Sequence, residues 1–207
     1  MARPREPLIS RDATVAAAIR IIDAEGLEAL SLPRLARAMN VKAPSLYHHF
    51  ADKSAILESV AREIVSATVI PRKPPADEWV EWLVQLCLNF RSAVLRHRNA
   101  APVLLQHLPR DLLADIYEDV AVHLDRCGLA KERHLPVLDG LNRIAVTATL
   151  AEALRPEGHG RSAMVIDEER HPTLAASARA CRLGPRQQFE CIVRTHLRGI
   201  ARQGPTG

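Results

Sequence analysis

Residues 31 to 53 read SLPRLARAMNVKAPSLYHHFADK, and the order of residue types along this run decides the fold. Ser31 has a short oxygen-bearing side chain suited to cap a helix, and Pro33 falls in the first turn, where its missing N–H has no partner to lose. Leu32, Leu35, Ala36 and Met39 then recur three and four apart, which predicts a short helix with one inward face. Asn40 tolerates the left-handed backbone region and can end that helix. Pro44 and Ser45 open a second helix of about two turns, and Asp52, after Ala51, caps a third. Within the second helix only Leu46 and Phe50 lie four apart on one face, with Val41 before them. That stripe anchors the segment and leaves Ser45, Tyr47, His48 and His49 outward.

On the N-terminal side, Ser10 has the character of an N-cap with Asp12 in the first turn. Val15, Ile19 and Ile22 make one apolar stripe, and Gly26 can take the left-handed position that stops a helix. Leu27 and Leu30 carry the chain over the core. On the other side Ile56, Leu57, Val60, Ile64 and Val65 continue the helical period. No stretch of the chain sustains a period-two alternation, so the fold class reads as all-α. The composition changes at IPRKPPADE, residues 70 to 78, where Pro71, Pro74 and Pro75 preclude a continuous helix. Beyond it, apolar periodicity predicts helices at about 77–98, 100–107, 110–127, 132–154, 173–182 and 186–202. The polar, glycine-containing run from Arg155 to Pro172 is expected as a mobile loop.

The 207 residues are 47% hydrophobic and 25% charged, as in a globular protein, and no run of about 18 apolar residues suggests a membrane span. The start, MARPREPLIS, is basic with no apolar stretch behind it, so a cytoplasmic protein without a secretory leader is expected. A net charge of +4 permits a nucleic acid partner without requiring one. Cys87, Cys127, Cys181 and Cys191 form no CxxC pair and read as reduced thiols packed as small apolar groups. The nine histidines contain no HExxH motif, so neither a metal nor another cofactor is expected. With no GxSxG, no glycine-rich phosphate loop and no paired carboxylates beside an evident pocket, the chain does not read as an enzyme.

A helix, a tight turn and a short helix with an outward polar face is the plan of a helix-turn-helix. Its second helix enters the major groove of DNA, early residues meeting base edges while neighbours meet phosphate. Ser45 can bond a phosphate or a base edge, Tyr47 can reach phosphate, and His48 offers a ring donor and acceptor or an apolar contact to a thymine methyl. Lys42 and Lys53 can neutralise phosphate, Lys53 aided by the positive end of its helix. Ser31, Ala43, Pro44 and His49 complete the candidate surface. Arg34 and Arg37, with Arg3, Arg5 and Arg11 in the leading arm, add charge.

Residues 26 to 60, GLEALSLPRLARAMNVKAPSLYHHFADKSAILESV, resemble the DNA-binding domain of TetR-family transcriptional regulators. That pattern has a Leu-Tyr at the place of Leu46 and Tyr47, an aromatic residue or valine at Phe50, and a lysine at Lys53. Further on, FRSAVLRHRN, HLDRCGL, LDGLNRIAVTATLAEAL and HPTLAASARACRLGPRQQFECIVRTHLRGI are similar, in order and helix length, to the C-terminal domain of tetracycline-repressor-type members. The resemblance implies a helix-turn-helix domain over residues 1–55 and a helical ligand-binding and dimerisation domain over 56–207. It implies a homodimer whose interface is a four-helix bundle made from the two long C-terminal helices of each subunit. Leu138, Leu141, Ala145 and Ala148, then Phe189, Ile192, Val193, His196 and Ile200, agree with it, as faces too large for one subunit to hide.

Two departures from the family pattern matter. Pro33 stands where tetracycline repressors carry a DNA-contacting arginine, with Arg34 adjacent, so the operator should differ. Val69, Leu86, Leu104 and Leu108 stand where polar residues hold tetracycline and its magnesium, although Phe90 matches. An apolar, metal-free ligand is therefore expected, lined by Trp82, Leu86, Asn89, Phe90, Leu104, His107, Leu108 and Asn142. The function expected is a sequence-specific repressor released from a palindromic operator by such a ligand, with the helix after Asp52 as the lever. The alternatives are a constitutive DNA-binding protein without an effector and an activator of the same family.

Overall fold

The computed structural model describes residues 10–155 and 166–202. Ten α-helices run through them: α1 (Arg11–Glu25), α2 (Leu32–Ala38), α3 (Ala43–Tyr47), α4 (Lys53–Ser66), α5 (Trp79–Leu95), α6 (Val103–His107), α7 (Arg110–Arg126), α8 (His134–Ala153), α9 (Pro172–Ala180) and α10 (Pro185–Arg202). There is no strand among the described residues. They form two compact units, one from the described residues up to Thr68 with Ala93–Ala114, the other from Val69–Ser92 with the described residues from Asp115 onward. This partition differs from the one expected at residues 55 and 56, because α4 packs along α1 and α6 and stays with the first unit. Arg3, Arg5 and residues 156–165 of the expected loop lie outside the described residues.

In the first unit α1 is the axis. Ser10 caps it, its Oγ accepting from the Ala13 amide at 3.0 Å. Thr14, Val15, Ala17, Ala18, Ile19, Ile21 and Ile22 are all buried, an arc wider than the expected stripe. The width follows from the neighbours, since α2, α4 and a 3-10 turn at Arg98–Ala100 all pack on this helix. Thr14 is buried at no loss because its hydroxyl donates to the Ser10 carbonyl at 2.8 Å. Gly26 ends α1 at φ 88, ψ 164, a positive-φ region open to glycine but not the left-handed helical one expected. Asn40, at φ 54, makes the left-handed turn from α2 to α3.

The reading segment is shorter than the two turns expected. The His49 and Phe50 amides both turn back to the Leu46 carbonyl, at 3.0 and 2.9 Å, and α3 closes at Tyr47. Asp52 then caps α4, its carboxylate accepting from the Ala55 amide at 2.8 Å. The helix expected over 100–107 is also broken, with Pro102 standing between the 3-10 turn and α6.

The second unit is built around Trp79, Trp82, Leu83 and Leu88 of α5, Val120 and Leu124 of α7, Val137, Leu138, Leu141 and Ala145 of α8, and Phe189, Val193 and Leu197 of α10. Cys87 lies in the same core, where burial pushes its thiol up to about 12 and leaves it unreactive. Where α8 meets α10, a Cβ on Gly140 would fall 2.1 Å from His196 Nε2, so the imidazole rests on bare backbone. The core corrects the expectation that the α8 and α10 faces need a partner for cover. Leu138, Leu141, Ala145, Phe189 and Val193 are 6% exposed or less, being covered by α5 and α7 of the same chain. Ala148, His196 and Ile200 are half-buried, and Ile192 alone of the nine positions is open, at 52%.

Candidate nucleic-acid interface

The surface around α3 is assembled from behind. Leu46 is fully buried and Phe50 is 2% exposed, so both side chains anchor the segment in the first unit. Val41, half-buried, ties the turn to α2 through its amide, which donates to the Ala36 carbonyl at 3.0 Å. Opposite them Tyr47 is 55% exposed, and Lys42, Pro44, His48 and His49 are exposed as well. Ala43, Ser45 and Lys53 are half-buried, Lys53 as the first residue of α4. The polar residues of the candidate surface therefore share one rim, backed by two apolar anchors.

Arg11, expected only to add charge, has a structural task. One guanidinium nitrogen donates to the His49 carbonyl and another to Ser59 Oγ, each at 3.3 Å, while the group lies 4.6 Å over the Phe50 ring. This buttress fixes the end of α3 to α1 and α4. Nothing in the sequence announces it, since its partners lie 38 and 48 residues away.

Ser31 and Arg34 are more committed than the sequence suggests. The Ser31 hydroxyl caps α2, accepting from the Arg34 amide at 3.2 Å. The Arg34 guanidinium forks onto the Glu25 carboxylate, one arm at 3.2 Å, and this hydrogen bonding holds the Glu25 carboxyl below its usual range. Glu25 thus competes with any phosphate for Arg34. Glu25→Gln should leave stability nearly unchanged, since the pair is exposed and screened. It should tighten duplex binding and steepen the dependence of log K on log salt by up to about one unit. Filter binding across a salt series reads both, and a slope identical to wild type would place Arg34 off the DNA path.

The residues expected to line a ligand site are divided between the units. Leu104, in the first, is 2% exposed, and His107 and Leu108 are half-buried there. Trp82, Leu86, Asn89, Phe90 and Asn142 belong to the second. Trp82 is core: it is 4% exposed, its Nε1 donates to the Pro71 carbonyl at 3.0 Å, and its ring meets His123 edge-on at 4.7 Å. Asn89 spends both ends of its amide, accepting from Gln85 at 2.7 Å and donating to the Val69 carbonyl at 2.6 Å. Leu86, Phe90 and Asn142 remain half-buried. Among the described residues no three His, Cys, Asp or Glu side chains are grouped to hold a metal, and no helix is long and apolar enough to cross a membrane.

A short helix presented polar side out, after a tight turn and a capped helix, defines a helix-turn-helix DNA-binding protein. The family model described as bacterial regulatory proteins, tetR family, matches residues 15–60, and that of the tetracyclin repressor-like C-terminal domain matches residues 70–202. The chain belongs to this TetR family of DNA-binding transcriptional regulators. It is 28% identical over 149 residues to the class E tetracycline repressor protein of Escherichia coli, covering 70% of this chain and 69% of that one. A crystal structure described as a possible TetR family transcriptional regulator from Streptomyces coelicolor A3(2) is 28% identical, with a TM-score of 0.78 over 93% of this chain and 98% of that chain. ActR of Streptomyces coelicolor, solved in complex with actinorhodin, is 24% identical with a TM-score of 0.75 over 95% and 98%, a likeness of fold.

Proposed function

We propose that the protein is a homodimeric repressor that holds a palindromic DNA operator and releases it when a small, mostly apolar molecule binds. The observation that carries this reading is the α3 rim, with Tyr47, His48 and His49 exposed on a segment pinned by Leu46 and Phe50. Ser45, Lys42 and Lys53 complete the contacts with bases and phosphate, with Ala43 and Pro44 shaping the entry. Repression is supported by likeness to the class E tetracycline repressor, and response to a ligand by likeness of fold to ActR bound to actinorhodin.

Two reading helices must stand about 34 Å apart to enter successive major grooves. A second copy of the chain sets that distance, through the parts of α8 and α10 that the chain itself does not fully cover: the exposed Ile192 and the half-buried Ala148, His196 and Ile200. An effector resting on Leu86, Phe90 and Asn142 weakens DNA binding only by its preference for the spacing that does not fit the operator, and DNA weakens the effector by the same factor.

Selecting binding sites from random duplexes tests the reading. A palindrome bound by two chains is the expected result, and asymmetric sites bound by one chain would sink it. On the selected duplex, Lys53→Ala should weaken binding to every sequence and reduce the salt slope by about one unit. His48→Ala should instead relax base preference, by about 1 to 3 kcal/mol at one position. An unchanged slope in Lys53→Ala would remove that residue from the phosphate contacts.

A further inference from the structure

The first unit holds a cleft of about 410 Å³ that the DNA-reading role leaves unused. Arg11, Glu58, Ser59, Arg62, Arg110 and Asp111 line it together with the segment from Gln106 to Pro109, and none of them belongs to the α3 rim. Three guanidiniums face two carboxylates, on side chains gathered from α1, α4 and the start of α7. Arg62 is paired with Asp111, and its hydrogen bond holds the Asp111 carboxyl below its usual range. Arg110, exposed at the cleft, makes no ion pair among the described residues. Arg11 brings a guanidinium already shared between the His49 carbonyl and Ser59 Oγ.

We propose that this cleft binds a small molecule carrying a phosphate or carboxylate group, held by Arg110 and Arg11, and that its occupancy is felt at α3. Planar guanidiniums match both anions in charge and in fork geometry. Glu58 favours a ligand that also presents a hydroxyl donor. This site is polar and takes in His107 and Leu108 of the lining expected for an apolar ligand, whereas Leu86, Phe90 and Asn142 belong to the second unit. The link to α3 lies in Arg11: an anion that draws its guanidinium inward competes with the His49 carbonyl and with the face of Phe50, both of which fix the end of the reading segment. Anion and operator then weaken one another by a common factor.

The probes are inorganic phosphate and malate, titrated by calorimetry into the intact protein at constant ionic strength, with sodium chloride making up the difference. Saturable binding of at least one is expected, weakened about tenfold in Arg110→Ala by loss of a charge-assisted pair. It should be unchanged in Arg20→Ala, which removes an exposed arginine of α1 away from the cleft. No saturable heat with either probe, or equal losses in the two variants, overturns the site. Neither result involves DNA, so failure here is distinct from failure of the repressor reading.

On a selected duplex, the anion should lower the affinity of the wild type more than that of Arg110→Ala, and equal effects overturn the coupling through Arg11. In anion-free buffer Arg110→Ala should bind the duplex as the wild type does. A loss as large as that of Lys53→Ala would make the occupant a phosphate of the operator itself and remove the small molecule.

Discussion

Phe50→Ala is expected to destabilise the first unit by about 3 to 5 kcal/mol, as removal of a fully packed aromatic ring does. The ring is 2% exposed, and it is both the rear anchor of the reading segment and the surface over which the Arg11 guanidinium lies. Truncation therefore opens a cavity and removes a cation–π contact at the same place. Loss of sequence-specific DNA binding should accompany the loss of stability, because the end of α3 then has neither anchor nor buttress. Urea unfolding followed by circular dichroism measures the first effect and duplex binding the second. Tyr47→Ala provides the contrast: its side chain is 55% exposed, so stability should hold while affinity falls. If Phe50→Ala unfolds at the wild-type urea midpoint, the ring is not the anchor.

At Gly140 a single added methyl group should cost about 1 to 3 kcal/mol, the usual result of overpacking. A Cβ there lands 2.1 Å from His196 Nε2, so Gly140→Ala must expel the imidazole from its seat between α8 and α10. Nε2 is buried without a hydrogen-bond partner among the described residues, so the ring is held by packing. His196→Ala alone forfeits no hydrogen bond at Nε2, only that packing, and should cost less than Gly140→Ala. The double variant should recover the loss and gain up to about 1 kcal/mol more, because alanine replaces glycine inside a helix without a clash. A double-mutant cycle in urea isolates the coupling between the two positions. Additive effects would show that helix α8 yields at this point, and that the close approach sets nothing.

The limits of the sequence show at single residues. Ser10, Ser31 and Asp52 were legible as caps, and Leu46 and Phe50 as the anchors, because a cap reads its own helix three residues on and a stripe repeats every three or four. The length of α3 was less legible, since it depends on two amides folding back on one carbonyl. Leu138, Leu141, Ala145, Phe189 and Val193 were correctly apolar, yet periodicity says only that a face wants cover and never names the cover. In the fold α5 and α7 of the same chain supply it.

By itself the sequence determined an all-helical chain, a helix-turn-helix near its start and the rim of residues turned away from Leu46 and Phe50. All of these follow from interactions that reach no more than one turn along the backbone. Only the tertiary structure decided that Glu25 holds Arg34, that Arg11 reaches the His49 carbonyl, and that Arg62 and Arg110 share a cleft with it. Those pairings join charges on different helices, and a charge finds its partner only after burial of the apolar faces has fixed where each helix lies.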